Sequence, residues 1–406
     1  MRILLITQYF YPENFKSNDI AFDLVERGYE VDALVGIPNY PVGKYFKGYG
    51  IFKKRIQRIN GVRVFRSFQF PRGRGNKFLL MLNYISYVIS ACCHILLYFV
   101  WRKYDAVIVH EPSPIFQVYP AMLLKKLRKL PLYLWVLDIW PDAMMSGGGI
   151  RNRCILSIVN KMVIGIYKHC DKILISSRRF AESILSKGNF ENKIIYFPNW
   201  SEDLSKADST YPVPGLPEGF VIMLAGNLGR SQNLDAIVEA IEILQDIKEL
   251  KWVFVGDGSK KEWLDVYIRE HNLTDRAFTL GRFPPEAMPA FFSKADALLV
   301  SLRGGFPHLG MVVPARLQAY MSAGRPVLAM IGDGGADIIR ESNCGYAVPA
   351  GDYKALADII RNKVIANRED FEKMGESGRL FFEKEFRKDV CIDNLCKILK
   401  KGIKNG

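Results

Sequence analysis

The sequence has little with which to hold a metal or to staple itself together. Its seven cysteines are odd in number and include no C-x-x-C pair. Neither a disulfide framework nor a zinc site is therefore expected, and a reducing cytoplasm is the compartment that fits. No G-x-G-x-x-G is present, which removes the dinucleotide fingerprint, and no G-x-x-x-x-G-K-[ST] loop is there to wrap a nucleoside triphosphate. An Asp-x-Asp triplet, the usual holder of a metal-bound diphosphate, is missing too. No metal and no cofactor are expected. Acidic residues are absent from one whole stretch: between Ile51 and Tyr104 there are 11 basic residues and none acidic. The opening Arg2-Ile3-Leu4-Leu5-Ile6 runs straight into polar residues, so no signal peptide is expected.

What is present divides the chain in two. Residues 1–200 hold 29 lysines and arginines against 13 acidic residues, whereas the remainder is balanced at 27 against 29. A basic first half calls for an anionic partner: membrane lipid, a lipid-linked phosphate, or nucleic acid. Its positive charge surrounds apolar residues rather than aromatic stacking platforms, which disfavours nucleic acid.

Short apolar runs alternate with helical stretches along the whole chain. The first half gives Ile3–Thr7, Val31–Val35, Val62–Phe65, Ala106–Val109, Leu132–Leu137, Ile173–Ile175 and Ile194–Phe197. The second gives Phe220–Ala225, Trp252–Val255, Ala277–Leu280, Ala297–Val300, Val327–Met330 and Tyr346–Val348. Continuous apolar strands between helices predict parallel sheets covered on both faces. The fold expected is α/β, with two doubly wound Rossmann-like domains whose binding edges face a cleft. The boundaries are residues 1–200, a Pro-rich and charged linker 201–219, and residues 220–385. An amphipathic closing helix at 386–404 is placed to pack back on the first domain.

One segment departs from the alternation. Phe78–Trp101 carries no charge and is bracketed by Arg72, Arg74 and Lys77 before it and by Arg102 and Lys103 after it. Its length permits a membrane span. Asn83, Ser86, Ser90 and His94 dilute its hydrophobicity, and a strand follows within a few residues. An interfacial helix, part core and part membrane-facing, is expected instead. Lys77, Leu79, Leu80, Leu96, Trp101, Arg102 and Lys103 are its candidate membrane or acceptor contacts.

Ligands of open parallel sheets sit beyond the carboxyl ends of the strands, and the unusual polar clusters fall there. Glu13 and Tyr40 follow the first and second strands. His110 and Glu111 close a third, their side chains on opposite faces, so that at most one of them points to a ligand. Asp138 ends a buried strand, where an unpaired carboxylate is costly and a partner or substrate is implied. Asp138, His110 and Glu13 are the candidate catalytic residues. In the second half Gly226-Asn227-Leu228-Gly229-Arg230-Ser231-Gln232 and Gly256-Asp257-Gly258 follow two strands. Their glycines let backbone approach a phosphate, or merely serve tight turns. The stretch Val312–Pro326 is expected to be one short helix, with Pro314 in its first turn, Leu317, Tyr320 and Met321 as its buried stripe, and Gly324 ending it. Arg316 faces the positive end of that helix, a mild penalty that a bound anion removes.

These pieces resemble a known family. The segments GNLGRSQNLDAIVEA, VGDG and VVPARLQAYMSAGRPVLA are similar to the donor domain of retaining glycosyltransferases of family 4, which have the GT-B fold. YFYPEN, PNYPVGKYFKGYG, DIWPD and FPNW resemble the colanic-acid and O-antigen subgroup that includes fucosamine transferases. The family's pair of glutamates, seven residues apart, falls here on Met311 and Ala319, and the Arg and Lys of its first donor loop on Asn227 and Gln232. The resemblance implies a retaining transferase that takes a sugar from a nucleotide-diphosphate donor, UDP by preference, and places it on an undecaprenyl-diphosphate-linked saccharide. It implies capsule, O-antigen or exopolysaccharide synthesis at the inner face of the plasma membrane, next to anionic lipid. Donor contacts are expected from Gly226, Asn227, Arg230, Gln232, Gly256, Asp257, Arg282, Pro314, Arg316 and Leu317. Two alternatives are a sugar-nucleotide epimerase of the same fold and a basic protein that only binds membrane or nucleic acid.

Overall fold

A computed structural model of the chain describes residues 1–146, 149–150, 152–204, 209–305 and 307–404. It contains two compact units. The first comprises residues 1–176, 180–197 and 392–406, and the second 177–179 and 198–391. The stretch 201–219, which its composition marks as a linker, is part of the second unit as far as it is described (205–208 lie outside). The Leu204 amide donates to Ser322 Oγ at 2.8 Å, and Arg379 pairs with Asp203 at 2.6 Å. The closing helix Lys388–Lys404 enters the first unit from Ile392 onward, where Asp393 pairs with Arg27 at 2.8 Å.

The first sheet has eight strands: β1 Arg2–Ile6, β2 Glu30–Gly36, β3 Ile56–Ile59, β4 Val62–Ser67, β5 Ala106–Glu111, β6 Leu132–Val136, β7 Lys172–Ile175 and β8 Ile194–Tyr196. Their order is β3-β4-β2-β1-β5-β6-β7-β8, all parallel except for the β3–β4 hairpin. That hairpin escapes the search for apolar runs because β3 is half-exposed. Its turn is Asn60-Gly61, both with positive φ, as a two-residue hairpin loop requires.

The second sheet holds β9 Phe220–Ala225, β10 Leu250–Val255, β11 Ala277–Gly281, β12 Ala297–Ser301, β13 Val327–Met330 and β14 Gly345–Val348, in the order β11-β10-β9-β12-β13-β14. Alternate residues of β9 feed opposite faces: Phe220, Ile222 and Leu224 join one apolar cluster, and Val221, Met223 and Ala225 the other. A strand buried on both sides leaves its carboxyl end as the place for chemistry. The strand order reverses between β1 and β5 in one sheet and between β9 and β12 in the other, which is where ligands of such sheets bind.

The long apolar helix Lys77–Leu97 explains its own polar residues. Asn83 is fully buried, donates to Phe70 O and accepts from Gln8 Nε2 at 2.7 Å, while Gln8 also reaches Gln69. Ser86 accepts from the Phe70 amide at 3.0 Å, Ser90 donates to Phe68 O, and His94 Nδ1 meets Ser67 Oγ at 2.7 Å. These residues share one helix face, and that face is turned inward onto residues 67–70. The apolar stripe is turned out: Phe78, Ile85, Ile89 and Leu97 are 74, 47, 60 and 78% exposed. The inner face is mixed rather than purely apolar, since Tyr87, Ala91 and Ile95 are buried beside these polar groups. Leu79 and Leu80 are only half-exposed, so Phe78, Ile85 and Ile89 replace them on the outer face. Arg102 is held by Tyr98, Phe65 and Asp32 and serves the fold, while Trp101 and Lys103 remain exposed.

Asn83→Ala strands Gln8 and the Phe70 carbonyl in the interior and should cost about 1–3 kcal/mol in urea unfolding, against less than about 0.5 for the exposed Phe78→Ala. Equal losses would contradict the assignment of the inner face.

Candidate functional site

In the second unit the glycine loops meet. Gly226 has φ +123° and Gly256 φ +147°, and a Cβ on Gly256 would lie 1.8 Å from the Gly226 carbonyl oxygen. The ends of β9 and β10 are thus pressed backbone to backbone. Gly226, Asn227, Gly256, Asp257 and Arg282 line one cavity of about 330 Å³, together with Val255, Phe283 and Met288. Five of the expected donor residues are gathered there.

The helix beside them is Ala315–Ser322, shorter than expected, with Pro314 at its cap in an extended conformation (φ −64°, ψ 130°) rather than in its first turn. Leu317, Tyr320 and Met321 are buried, and Gly324 takes φ +68°. Helix geometry leaves the Ala315 and Arg316 amides without intrahelical acceptors. The Arg316 guanidinium lies over Gly226, with Nη2 3.2 Å from where a Cβ would stand, and its Nη1 is buried without a partner. Tyr320, one turn on, holds the register. Its hydroxyl accepts from the Ala225 amide at 3.0 Å and donates to the Ala225 carbonyl at 3.2 Å, clasping the helix to the end of β9.

Three donor expectations need correction. Leu317 is fully buried in the apolar cluster, with its amide on the Pro314 carbonyl, so it is core. Gln232 is 7% exposed, and its Oε1 accepts from the Gly229 amide and from Ser231, which closes the turn. The Gly226 and Leu228 amides are likewise bonded to Val255 and Asp257 carbonyls. With the Gly226, Leu228 and Gly229 amides taken, cationic side chains and the helix start are the main groups left for an anion. Arg230 is exposed, on the turn Arg230–Gln232.

In the first unit Glu13 is 2% exposed and its carboxylate is taken by three backbone amides, from Asn39 at 2.7 Å, Tyr40 at 2.6 Å and Phe10 at 3.3 Å. It clasps the loops after β1 and β2. Burial outweighs those bonds and raises its carboxyl to about 7. His110 is 1% exposed, its Nδ1 3.4 Å from Thr7 Oγ1 and its ring against Trp135. Burial pushes it down to about 3, so it is neutral, and it has no route to a ligand. Glu111 is buried as well, and burial and the nearby Asp138 push its carboxyl well above the usual range. Neither residue at the end of β5 faces outward.

Asp138 differs. It is part-exposed, and burial raises its carboxyl to about 7, with Asp142 adding and the Ile139 amide opposing. It lines a cavity of about 640 Å³ together with Lys77 and Tyr84. Tyr84 senses both Arg72 and Asp138, and Arg72 stacks on Tyr40 with Cζ 4.8 Å from the ring centroid. Tyr84 carries no sequence signal, and Arg72 and Trp140, which stand in the sequence as a flanking charge and within DIWPD, join it here only through packing.

The second unit also matches a known family over most of its length. A profile described as Glycosyl transferases group 1 covers residues 213–381. Over these residues the chain is similar to group 1 glycosyltransferases. Curated relatives extend the likeness beyond that domain. The probable glycosyltransferase WbjE of Pseudomonas aeruginosa is 27% identical over 59% of this chain, which spans 63% of that relative's length. The putative colanic acid biosynthesis glycosyl transferase WcaI of Escherichia coli is 24% identical over 80% of this chain and 82% of its own. Among solved structures, sucrose-phosphate synthase of Thermosynechococcus elongatus superposes over the whole of both chains with a TM-score of 0.74 at 15% identity. Anabaena HepE, in complex with UDP and glucose, gives 0.65 at 15% identity, covering 98% of this chain and 99% of its own. These likenesses establish the fold as GT-B, built of two Rossmann-like units.

Two outcomes test this geometry. The unfolded chain gives up the Asp138 proton near its ordinary value of 3.8, the folded protein near 7, so this residue's contribution to stability falls as pH rises through that window. Asp138→Asn should therefore be more stable than wild type at about pH 8 and little different at about pH 4; a pH-independent difference would contradict the burial. Tyr320→Phe should cost about 1–3 kcal/mol, because both Ala225 groups lose their partner. A loss below about 0.5 would contradict the clasp.

Proposed function

We propose that the protein moves a sugar from a uridine-diphosphate donor to a hydroxyl of a polyprenyl-diphosphate-linked saccharide, with retention of anomeric configuration, in the synthesis of a cell-surface polysaccharide. The observation that carries this is the buried, unpartnered Nη1 of Arg316 above Gly226. A diphosphate satisfies it and offsets the cost of a cation in a first helical turn. The base and ribose fit the cavity between Gly256 and Arg282. Two structural neighbours, HepE and Staphylococcus aureus TarM, are complexes that contain UDP, which supports uridine as the carrier. The colanic acid and amylovoran transferases among the relatives support the polysaccharide context.

In the reaction the bond from the anomeric carbon to the β-phosphate oxygen breaks as a bond to the acceptor oxygen forms on the same face. The acceptor proton passes to the departing phosphate oxygen, and the nucleoside diphosphate leaves. Arg316, with Arg230 and Arg282 of the same unit, stabilises the charge that develops on that oxygen. Asp138, in the first unit, is the residue assigned to bind the acceptor saccharide. The outward apolar stripe of Lys77–Leu97, among a surplus of cations, supports attachment at an anionic cytoplasmic membrane surface. This helix is long and apolar enough to span, but its polar face is bonded within the first unit, which supports lying along the surface.

Arg316→Ala should lower turnover about 10²–10³-fold with an unchanged circular dichroism spectrum; near-native turnover would refute the phosphate role. Serine at Ile85, Ile89 and Leu97 together should release the protein from phosphatidylglycerol vesicles, and unchanged co-sedimentation would refute the surface helix.

A further inference from the structure

A cavity of the first unit meets the chemistry above only through Asp138, and the rest of its lining has no role there. It holds about 640 Å³, within the ~300–1,000 Å³ of ordinary small-molecule sites. Its walls come from two helices, Lys77–Leu97 and Arg153–His169, from Ser113, Phe116 and Tyr119 after β5, and from the segment after β6 that carries Asp138, Trp140 and Met144. The lining is apolar apart from a few groups. Lys77 and Asp138 contribute charge, and Trp140, itself 7% exposed, has its indole Nε1 buried without a partner. A buried donor with no acceptor is costly, and a ligand oxygen would relieve it.

The cavity opens where the surface is greasiest. Ile85, Ile89 and Ile155 line it and are also 47, 60 and 44% exposed, so its rim belongs to the outward apolar stripe. At the sheet edge stands Asp138. Three methionines, Met81, Met144 and Met162, share the walls, and such side chains adapt to an irregular guest.

We infer that this cavity takes the isoprenoid chain of the lipid-linked acceptor, drawn in sideways from the membrane surface, and so delivers the phosphate end to Lys77 and the Trp140 N–H and the saccharide to Asp138. Charge complementarity selects an anionic lipid, and the adaptable, sulfur-rich walls suit a methyl-branched chain better than a straight one. The inference rests on the lipid-linked acceptor proposed above and assigns the part of the acceptor that does not react.

The test uses the full chain on vesicles of phosphatidylethanolamine and phosphatidylglycerol doped with undecaprenyl monophosphate bearing a diazirine on its first isoprene unit. Photolysis should place adducts on Val88, Val159 or Met162. Val159→Trp, or Val88→Trp at a more exposed wall should the first misfold, should cut labelling at least tenfold while vesicle co-sedimentation stays unchanged. Labelling confined to Phe78, Leu97 and Trp101, outside the cavity, would overturn the assignment, as would equal suppression by a straight-chain phosphatidic acid. Transfer to a polyprenyl-linked saccharide without cavity adducts would sink the cavity and leave the acceptor reading standing. Cavity adducts with transfer only to water-soluble acceptors would do the reverse.

Discussion

A guanidinium nitrogen buried without a partner is the feature on which the second unit turns. Such a group costs more to leave unmet than a hydrogen bond gains, so the fold carries Arg316 as a debt to a ligand. What keeps it over the end of β9 is the double hydrogen bond between Tyr320 and Ala225, one helical turn away. The glycines at 226 and 256 then acquire a purpose beyond turn geometry. They bring two strand ends into contact and leave open space under a positive charge, and electrostatic stabilisation of a leaving diphosphate needs such a place.

The first unit is ruled by a different constraint. Its most hydrophobic helix turns its polar residues inward beside Tyr87, Ala91 and Ile95 and leaves an apolar stripe outside, because Asn83, Ser86, Ser90 and His94 are committed to residues 67–70 and to Gln8. Sequence composition alone makes those polar residues look like a dilution of a membrane segment. Bonded inward, they fix the helix along the unit and turn its greasy stripe to the exterior. The large cavity opens through that stripe, and Asp138 lies on its wall, made hard to ionise by the same apolar surroundings.

Much of this was legible beforehand. Thirteen apolar runs became strands with ends shifted by a residue or two, since a strand buried on both faces advertises itself. β3 escaped because it is an edge strand, and its clue was the Asn60-Gly61 turn rather than hydrophobicity. Site residues were read less well, for one physical reason: sequence shows which polar residues end strands but not which way they face. Glu13 and His110 stand at strand ends and are swallowed, one by backbone amides and the other by burial against Trp135. Leu317 and Gln232 adjoin the donor site along the chain but face away from it or close a turn. Gly226, Asn227, Gly256, Asp257 and Arg282 did converge on one cavity, since glycine-rich strand ends in neighbouring positions of a parallel sheet have nowhere else to go.

The account stands most directly on the difference between a nucleotide with one phosphate and one with two. Calorimetric titration of UDP and UMP into wild type and Arg316→Ala isolates it. If Arg316 meets the terminal phosphate, wild type should prefer UDP by at least about tenfold, some 1.4 kcal/mol, and the variant should lose that preference while keeping its affinity for UMP. An undiminished preference in the variant would contradict the claim.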